Sequence, residues 1–401
     1  MRVDNPSGEE LAARFRRLEE RAAASGEAQA AQYLDLGTHM VRLLSYSGEF
    51  TPHVRKQLAY VLRDRAARCD ATLVIWKEKD LDSLAVFLEE RCDPRKNLRL
   101  RVERLATGRA ARPEPDRDLR IFDLSVSRWQ PLLNVDPWAR AVSAWNPLTN
   151  TYYYAVENLE PEEFIKQGHI FVQTFSKLLK SPSSALVHGA LIGLGGNGAL
   201  LCARGQRGKS TLAVRALLDG FDYVSDDYLV LGREAGGLFA WPIYSIITLS
   251  PAMYGDLYAR LEAKFVSNNA RKDKYVFNIG AYHSRFVQRH PVSLCLFPQI
   301  VPDPEPSVLA CTPAGKGRAI AQLIHSTIAQ MGDTHDIAGI KKLADFVRDL
   351  PCYQINLCRD IEKNLRCLRE FLQSGLCGQQ EYARGMLSSR SQPPTLFAGP
   401  R

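Results

Sequence analysis

A seven-residue loop, Gly205 to Thr211 (GQRGKST), stands between an apolar run, Ala199-Leu200-Leu201-Cys202-Ala203, and a helix-patterned segment, Leu212 to Leu218. Strand, glycine-bearing loop and helix in that order constrain the fold more than any other part of the chain. In such a loop the backbone N–H groups turn inward, and the free N–H groups and positive dipole of the helix start add to their attraction for phosphate. Lys209 is placed to reach the β/γ-phosphates of a nucleotide, and Ser210 to offer its hydroxyl to the magnesium ion that bridges them. Gly205, Gln206, Arg207, Gly208, Lys209, Ser210 and Thr211 are therefore the candidate nucleotide-binding residues. The pattern G-x-x-x-x-G-K-[ST] expects glycine where Ala203 stands. Glycine serves such turns because positive φ and close backbone approach cost it little, so Ala203 and Gln206 must sit where ordinary dihedrals suffice. The competing reading of Gly-Lys-Ser is a basic surface loop; the flanking strand and helix and a carboxylate pair downstream favour phosphate.

That pair is Asp226-Asp227, followed by Tyr228-Leu229-Val230-Leu231, a run with the apolar character of a buried strand. Adjacent strand residues point to opposite faces, so the two acids are expected to divide the work, one facing a metal ion and the other a reacting hydroxyl. A solvated pair at a strand end is the alternative.

Lys209 lies 17 positions before Asp226 and 21 after His188. A Val-His-Gly opening at Val187, a G-K-S loop, and an Asp-Asp pair after one helix and Gly220 make the stretch from Val187 to Leu231 resemble the HPr kinase/phosphorylase catalytic domain. The likeness is greatest to the HPr-kinase-related bacterial branch, which joins the kinase core to a different N-terminal domain. Phosphoenolpyruvate carboxykinase shares the same logic more distantly. The resemblance implies an α/β fold with a P-loop HPr-kinase/phosphoenolpyruvate-carboxykinase-like domain. It also implies ATP and Mg2+ as cofactors, and transfer of the γ-phosphoryl group to a hydroxyl, serine above all, of a protein, peptide or small metabolite. Under it Lys209 and Ser210 take phosphate and magnesium, Ser210 and Asp226 hold the metal, Asp227 accepts the hydroxyl proton, and His188 pairs with that carboxylate. Asp227, His188 and Lys209 are thus the expected catalytic residues. This division is chemically sound, because phosphoryl transfer asks mainly for positioning and charge neutralisation and a nearby carboxylate can orient or deprotonate the nucleophile. A lone histidine among apolar residues is otherwise more often a core residue. Homo-oligomerisation is a further implication.

The family's downstream Glu-Ile-Arg-Gly segment, tied to its dephosphorylating activity, has no counterpart here. In its place come Ala270-Arg271-Lys272-Asp273-Lys274 and later Arg285. These basic residues could stabilise transferring charge or form a solvated hairpin. A catalytically weak nucleotide-binding regulator is the alternative function, motivated by Ala203 and Gln206, and a pyrophosphate-using enzyme or phosphohydrolase is a third.

With 401 residues and 45% hydrophobic content the chain has room for two domains with real cores. The formal charge of +8 suits acidic ligands such as nucleotides. No aromatic-plus-basic pattern accompanies it, so nucleic acid is not an expected partner. Nine cysteines without a C-x-x-C pair point to reduced thiols. The first residues lack a secretory apolar core and no run approaches the ~18 apolar residues of a membrane span, which places the chain in the cytoplasm.

Three segments are expected: an α+β module over 1–157, the kinase unit over 158–378 and a flexible tail over 379–401. Within the first, helices are expected over 8–33, 51–63 and 80–90. Strands are expected over 38–45, 71–76, 98–102, 119–124, 140–145 and 151–155, a loop over 109–117 and a hairpin turn over 147–150. A helix from Pro161 to about Pro182 leads into the kinase unit. Further on, a strand is expected over 292–298, a proline-rich loop over 301–306, and helices over 319–330, 339–350 and 361–372.

Overall fold

Continuous burial on both faces marks the centre of the N-terminal sheet. The computed structural model describes residues 8–79, 133–136, 141–156, 169–179, 181, 183–203, 207–251, 253, 257, 264–269, 274–278, 284–331 and 337–374. They form a mixed α/β structure with sheets of seven, six, four and three strands. The first holds β1 (Gln32–Asp35), β2 (Met40–Ser45), β3 (Leu62–Arg63), β4 (Ala71–Lys77), β5 (Leu133–Asp136), β6 (Ala141–Asn146) and β7 (Thr151–Val156), ordered β3-β1-β2-β4-β7-β6-β5. Strands β2, β4 and β7 run parallel, and the apolar runs of β4 and β7 suit strands covered on both sides.

Helix α1 (Gly8–Ala24) covers one face, where Phe15 stacks on Tyr153 with ring centroids 5.5 Å apart. Helix α2 (Phe50–Leu58) covers the other, setting Phe50, Val54 and Leu58 in one cluster with Leu73, Ile75, Tyr152 and Tyr154. The Tyr152-Tyr153-Tyr154 triplet is therefore split by strand periodicity between two packed layers, and each ring contributes on the order of 2 kcal/mol by burial. Strands β6 and β7 close through residues 147–150, as the sequence predicts. Asn150 takes φ 48° there, a left-handed conformation asparagine tolerates.

Three helices are shorter than their patterns suggest. The one expected over 8–33 ends at Ala24, and Gln32 and Tyr33 belong to β1, where they pair with β2. The one expected over 51–63 stops at Leu58, because Leu62 and Arg63 pair with β1. The one expected from Pro161 is seen as α3 (Val172–Leu178), preceded by Phe171 at φ 60°, which breaks the helical path. Residues 161–168, and the elements expected over 80–90, 98–102, 109–117, 119–124 and 379–401, lie outside the described residues.

The second half begins with β8 (Ser184–His188), β9 (Ala190–Leu194), β10 (Asn197–Leu201), α4 (Lys209–Leu218), β11 (Asp222–Ser225), β12 (Tyr228–Glu234) and β13 (Gly237–Pro242). It continues through β14 (Ile246–Leu249), β15 (Lys264–Asn269), β16 (Lys274–Asn278), β17 (His290–Pro291), β18 (Leu294–Ile300) and β19 (Ser307–Ala310). Helices α5 (Pro313–Met331) and α6 (Ile337–Val347), strand β20 (Cys352–Leu357) and helix α7 (Ile361–Ser374) complete it. The six-stranded sheet is ordered β11-β9-β10-β18-β20-β19, the four-stranded one β17-β13-β12-β8, and the three-stranded one β14-β16-β15. Leu212 and Leu217 of α4 and Leu365, Leu368 and Leu372 of α7 cluster with Ile192, Leu201 and Leu296 of the six-stranded sheet. A separate cluster joins that sheet's Leu191, Leu200 and Cys295 to Val187, Leu229 and Leu231 of the four-stranded sheet, with Leu323, Leu343 and Phe346 from α5 and α6.

Strand β9 is antiparallel to both β10 and β11. Strands β10 and β11 therefore point the same way and end at one edge of the sheet, where β9 begins. At that edge the chain twice crosses between sheets: β8 passes to β9 through Gly189, and β11 passes to β12 through Asp226 and Asp227.

The two halves share apolar packing. Trp241 of β13 lies so close to Gly37 in the β1–β2 turn that a Cβ there would fall 2.3 Å from the indole. Cys69, Cys202, Cys295, Cys311, Cys352, Cys358 and Cys367 are free thiols. Hydrogen bonding to Cys202 together with burial pushes the Cys295 thiol well above its ordinary range, the state of a packed rather than a reactive cysteine. Among the described residues no helix is long and apolar enough to cross a membrane.

Strand β10 begins against the short β17 strand, and Gly198 is what permits it. A Cβ at Gly198 would lie 1.9 Å from the Pro291 carbonyl oxygen, a backbone atom with little freedom to move. Gly198→Ala is expected to destabilise the protein by about 1–3 kcal/mol, read as a lowered midpoint in thermal or urea unfolding.

Candidate active site

The paired crossovers explain why residues distant in sequence meet. His188 ends β8, Lys209 opens α4 after β10, and Asp226 and Asp227 follow β11, all at the same sheet edge. The Gly189 N–H donates to the Asp227 carbonyl at 2.9 Å and fastens the two crossovers side by side. Gly208, at φ 89°, turns the chain into α4. A Cβ there would come 2.9 Å from Leu357 Cδ1 at the end of β20, so both dihedral and space demand glycine.

Asp227 is the hub. Its side chain is 8% exposed, and its two oxygens have different neighbours. Lys209 Nζ lies 3.4 Å and His188 Nε2 3.5 Å from Oδ1. Thr248, on β14, donates its hydroxyl to Oδ2 at 3.1 Å, and His169 Nε2 stands 3.7 Å from the same oxygen. A buried carboxylate is tolerated only when paired and hydrogen-bonded, and one ammonium, two imidazoles and a hydroxyl meet that need. His188 is held from behind by α5, with Nδ1 2.5 Å from Ser326 Oγ and its backbone N–H donating to Thr327 Oγ1 at 3.2 Å.

Asp226 is buried to 1% exposure, and its backbone carbonyl accepts a hydrogen bond from Lys209 Nζ. Burial, followed by the charges of Asp226 and Asp227, pushes the Tyr223 phenol well above its ordinary range. The strand alternation expected for the two acids does not apply, because they occupy the bend between β11 and β12 rather than a strand. What separates their surroundings is the crossover, which turns the Asp227 side chain toward His188 and Lys209.

Of the phosphate-loop candidates, Gly205 and Gln206 lie outside the described residues. Arg207 is exposed just before Gly208, and Ser210 is half-buried in the first turn of α4. Thr211 directs its hydroxyl to Met253 Sδ at 2.9 Å, a packing contact. Arg285, a sequence candidate for charge stabilisation, stands beside Gly220 at the other end of β11 from Asp226. Arg271, Lys272 and Asp273 lie outside the described residues, and Lys274 opens β16.

Sequence reasoning missed His169, Thr248, Ser326 and Thr327. Each is a single residue in an ordinary turn, strand or helix and carries no local pattern. The one available signal was the spare histidine after Gly168, inside the helix expected from Pro161 to about Pro182.

Thr248→Val keeps the shape and removes the donor to Oδ2 of Asp227. Hydrogen bonds to charged groups contribute roughly 1.5–3 kcal/mol, and a loss of that order is expected as a lower urea midpoint with an unchanged slope.

No family model matches the chain, and no curated protein matches it. Among solved structures, the Hpr(Ser) kinase/phosphatase from Coxiella burnetii is similar over 52% of this chain and 99% of its own, with 13% identity and a TM-score of 0.28. That is a distant likeness, so the functional reading rests on the site's own residues.

Proposed function

We propose that the chain is an ATP-dependent phosphotransferase that moves the γ-phosphoryl group to a hydroxyl, serine being the leading acceptor type, of a protein, peptide or metabolite. The observation that carries this reading is the meeting of Lys209, from the first turn of the helix after β10, with the carboxylate of Asp227 and the carbonyl of Asp226.

The residues suit a nucleotide and its metal. Helix α4 starts without a side-chain cap, so its first N–H groups and dipole favour an anion. A hydroxyl at Ser210 and a carboxylate at Asp226 are hard oxygen donors of the kind magnesium takes, usually with retained waters and substrate phosphates. Among the described residues no group of three or more His, Cys, Asp or Glu side chains forms a metal cage, and such a cage is not what magnesium in a phosphotransferase needs. When bound, the ion neutralises charge on the phosphates.

The chain's own part is positioning and proton transfer. Asp227 orients the acceptor hydroxyl and takes its proton. His188, fixed by Ser326, steadies Oδ1 of Asp227 and adds an N–H donor to the pocket. Lys209 supplies a positive charge that serves the carboxylate in this structure and suits the β/γ-phosphates of a nucleotide. Residues 158–378 form the kinase unit in this proposal, and the module over 1–157 contributes acceptor recognition or assembly into oligomers.

Lys209→Met is expected to weaken nucleotide binding at least tenfold, by calorimetry. Asp227→Asn is expected to keep binding within about twofold while phosphoryl transfer from γ-labelled ATP falls 10²–10⁴-fold, the range of a lost general base. Chelation of magnesium is expected to abolish transfer in the unmodified protein. Tight ATP binding with no label moved to any acceptor would identify a nucleotide-binding regulator, and transfer from pyrophosphate in place of ATP would identify the third alternative.

A further inference from the structure

Two groups on Oδ2 of Asp227, the Thr248 hydroxyl and the His169 ring, are carried by chain that the N-terminal module grips. His169 immediately precedes Ile170, whose backbone is held at both ends. Its N–H donates to Gln57 Oε1 at 3.1 Å, and its carbonyl accepts the Tyr244 hydroxyl at 2.6 Å. Phe171 follows at φ 60°, a conformation costing a bulky residue roughly 1–3 kcal/mol and kept only where the surroundings over-determine it. The His169 ring stands edge-on to Tyr228 and Tyr244, with centroids 4.8 and 4.7 Å away. Thr248 is tethered by the same helix end. The Ser245 N–H donates to the Gln57 carbonyl at 2.6 Å, the Tyr60 N–H donates to Ser245 Oγ at 3.0 Å, and Ser245 leads directly into β14.

Gln57 is fully buried, and its Nε2 has no hydrogen-bond partner among the described residues. Leaving Nε2 unsatisfied costs stability, so the amide is no better a core filler than an apolar side chain, and what it adds is the acceptor Oε1 for the Ile170 N–H. A polar residue kept at such a place is expected where position rather than stability is at stake.

We infer that Gln57 and His169 are positioning residues of the phosphotransfer site. Gln57, in the last turn of α2, fixes the turn that sets His169 against Oδ2 of Asp227, so the N-terminal module governs the orientation of the proposed base. The inference rests on the proposed kinase reading, and its structural part can be tested apart from it.

The test compares the unmodified protein with Gln57→Met, His169→Ala, His169→Gln and Lys209→Met, using magnesium and ATP as the probe and phosphate release to water as turnover. Gln57→Met, which leaves the Ile170 N–H without its acceptor, and His169→Ala are expected to melt several degrees lower, to stay folded at the assay temperature, and to bind ATP within about twofold. Their kcat is expected to fall about 10–100-fold, the scale of a mispositioned catalytic group. His169→Gln, which restores an N–H donor at that place, is expected to recover most of that loss. Independently of turnover, ring-nitrogen resonances of His169, which faces Asp227, Tyr228 and Tyr244, are expected to shift in both Asp227→Asn and Gln57→Met, while those of His290 stay in place. Unchanged kcat with unchanged His169 resonances, or a Gln57→Met protein that loses stability alone, would overturn the inference. If the unmodified protein releases no phosphate and Lys209→Met binds ATP equally well, the kinase reading fails instead. The resonances then still decide whether Gln57 holds His169 against Asp227.

Discussion

One backbone hydrogen bond, from the Gly189 N–H to the Asp227 carbonyl, ties together two places where the chain leaves one sheet for another. Strand β9 runs against both β10 and β11, so His188, Lys209, Asp226 and Asp227 reach the same edge without a long connection. Gly189 has little room for more: an added Cβ would sit 3.3 Å from the Leu201 carbonyl oxygen. The site is thus built from main-chain topology first, and its side chains inherit their proximity from it.

Charge then decides what the site can hold. Desolvating an isolated carboxylate is expensive, and Asp227 is compensated from several elements rather than one. Lys209 comes from α4, His188 from the β8 crossover, Thr248 from β14 and His169 from the turn ahead of α3. Support from so many directions costs conformational freedom, the condition under which a carboxylate can act on a substrate without reorganising first.

Much of this was legible in the chain, for a reason visible in its layout. Lys209, Asp226 and Asp227 belong to one contiguous strand–loop–helix–strand unit, so their spacing already carried the geometry. The apolar runs over 71–76, 151–155 and 292–298 marked strands because those segments are buried on both faces. Short, partly exposed strands such as β19 and β20, whose burial alternates or lapses, left no such mark. His169, Ser326 and Gln57 could not be read at all. Their partners lie 58, 138 and 113 positions away, respectively, and no local propensity encodes a contact over that distance. Residues 170–171 were misread because helical periodicity counts apolar side chains and is blind to a backbone held by outside hydrogen bonds. The adjacent acids were misread because alternation was assumed through what proves to be a bend.

The indole of Trp241 is 6% exposed and lies against Gly37 from the opposite half of the chain. Nature has in effect built a fluorophore into the joint. Its emission depends on the polarity around the ring, so any event that lifts the β1–β2 turn from the four-stranded sheet admits water to the indole and moves the emission to longer wavelength. The joint can therefore be watched in solution without attaching a dye.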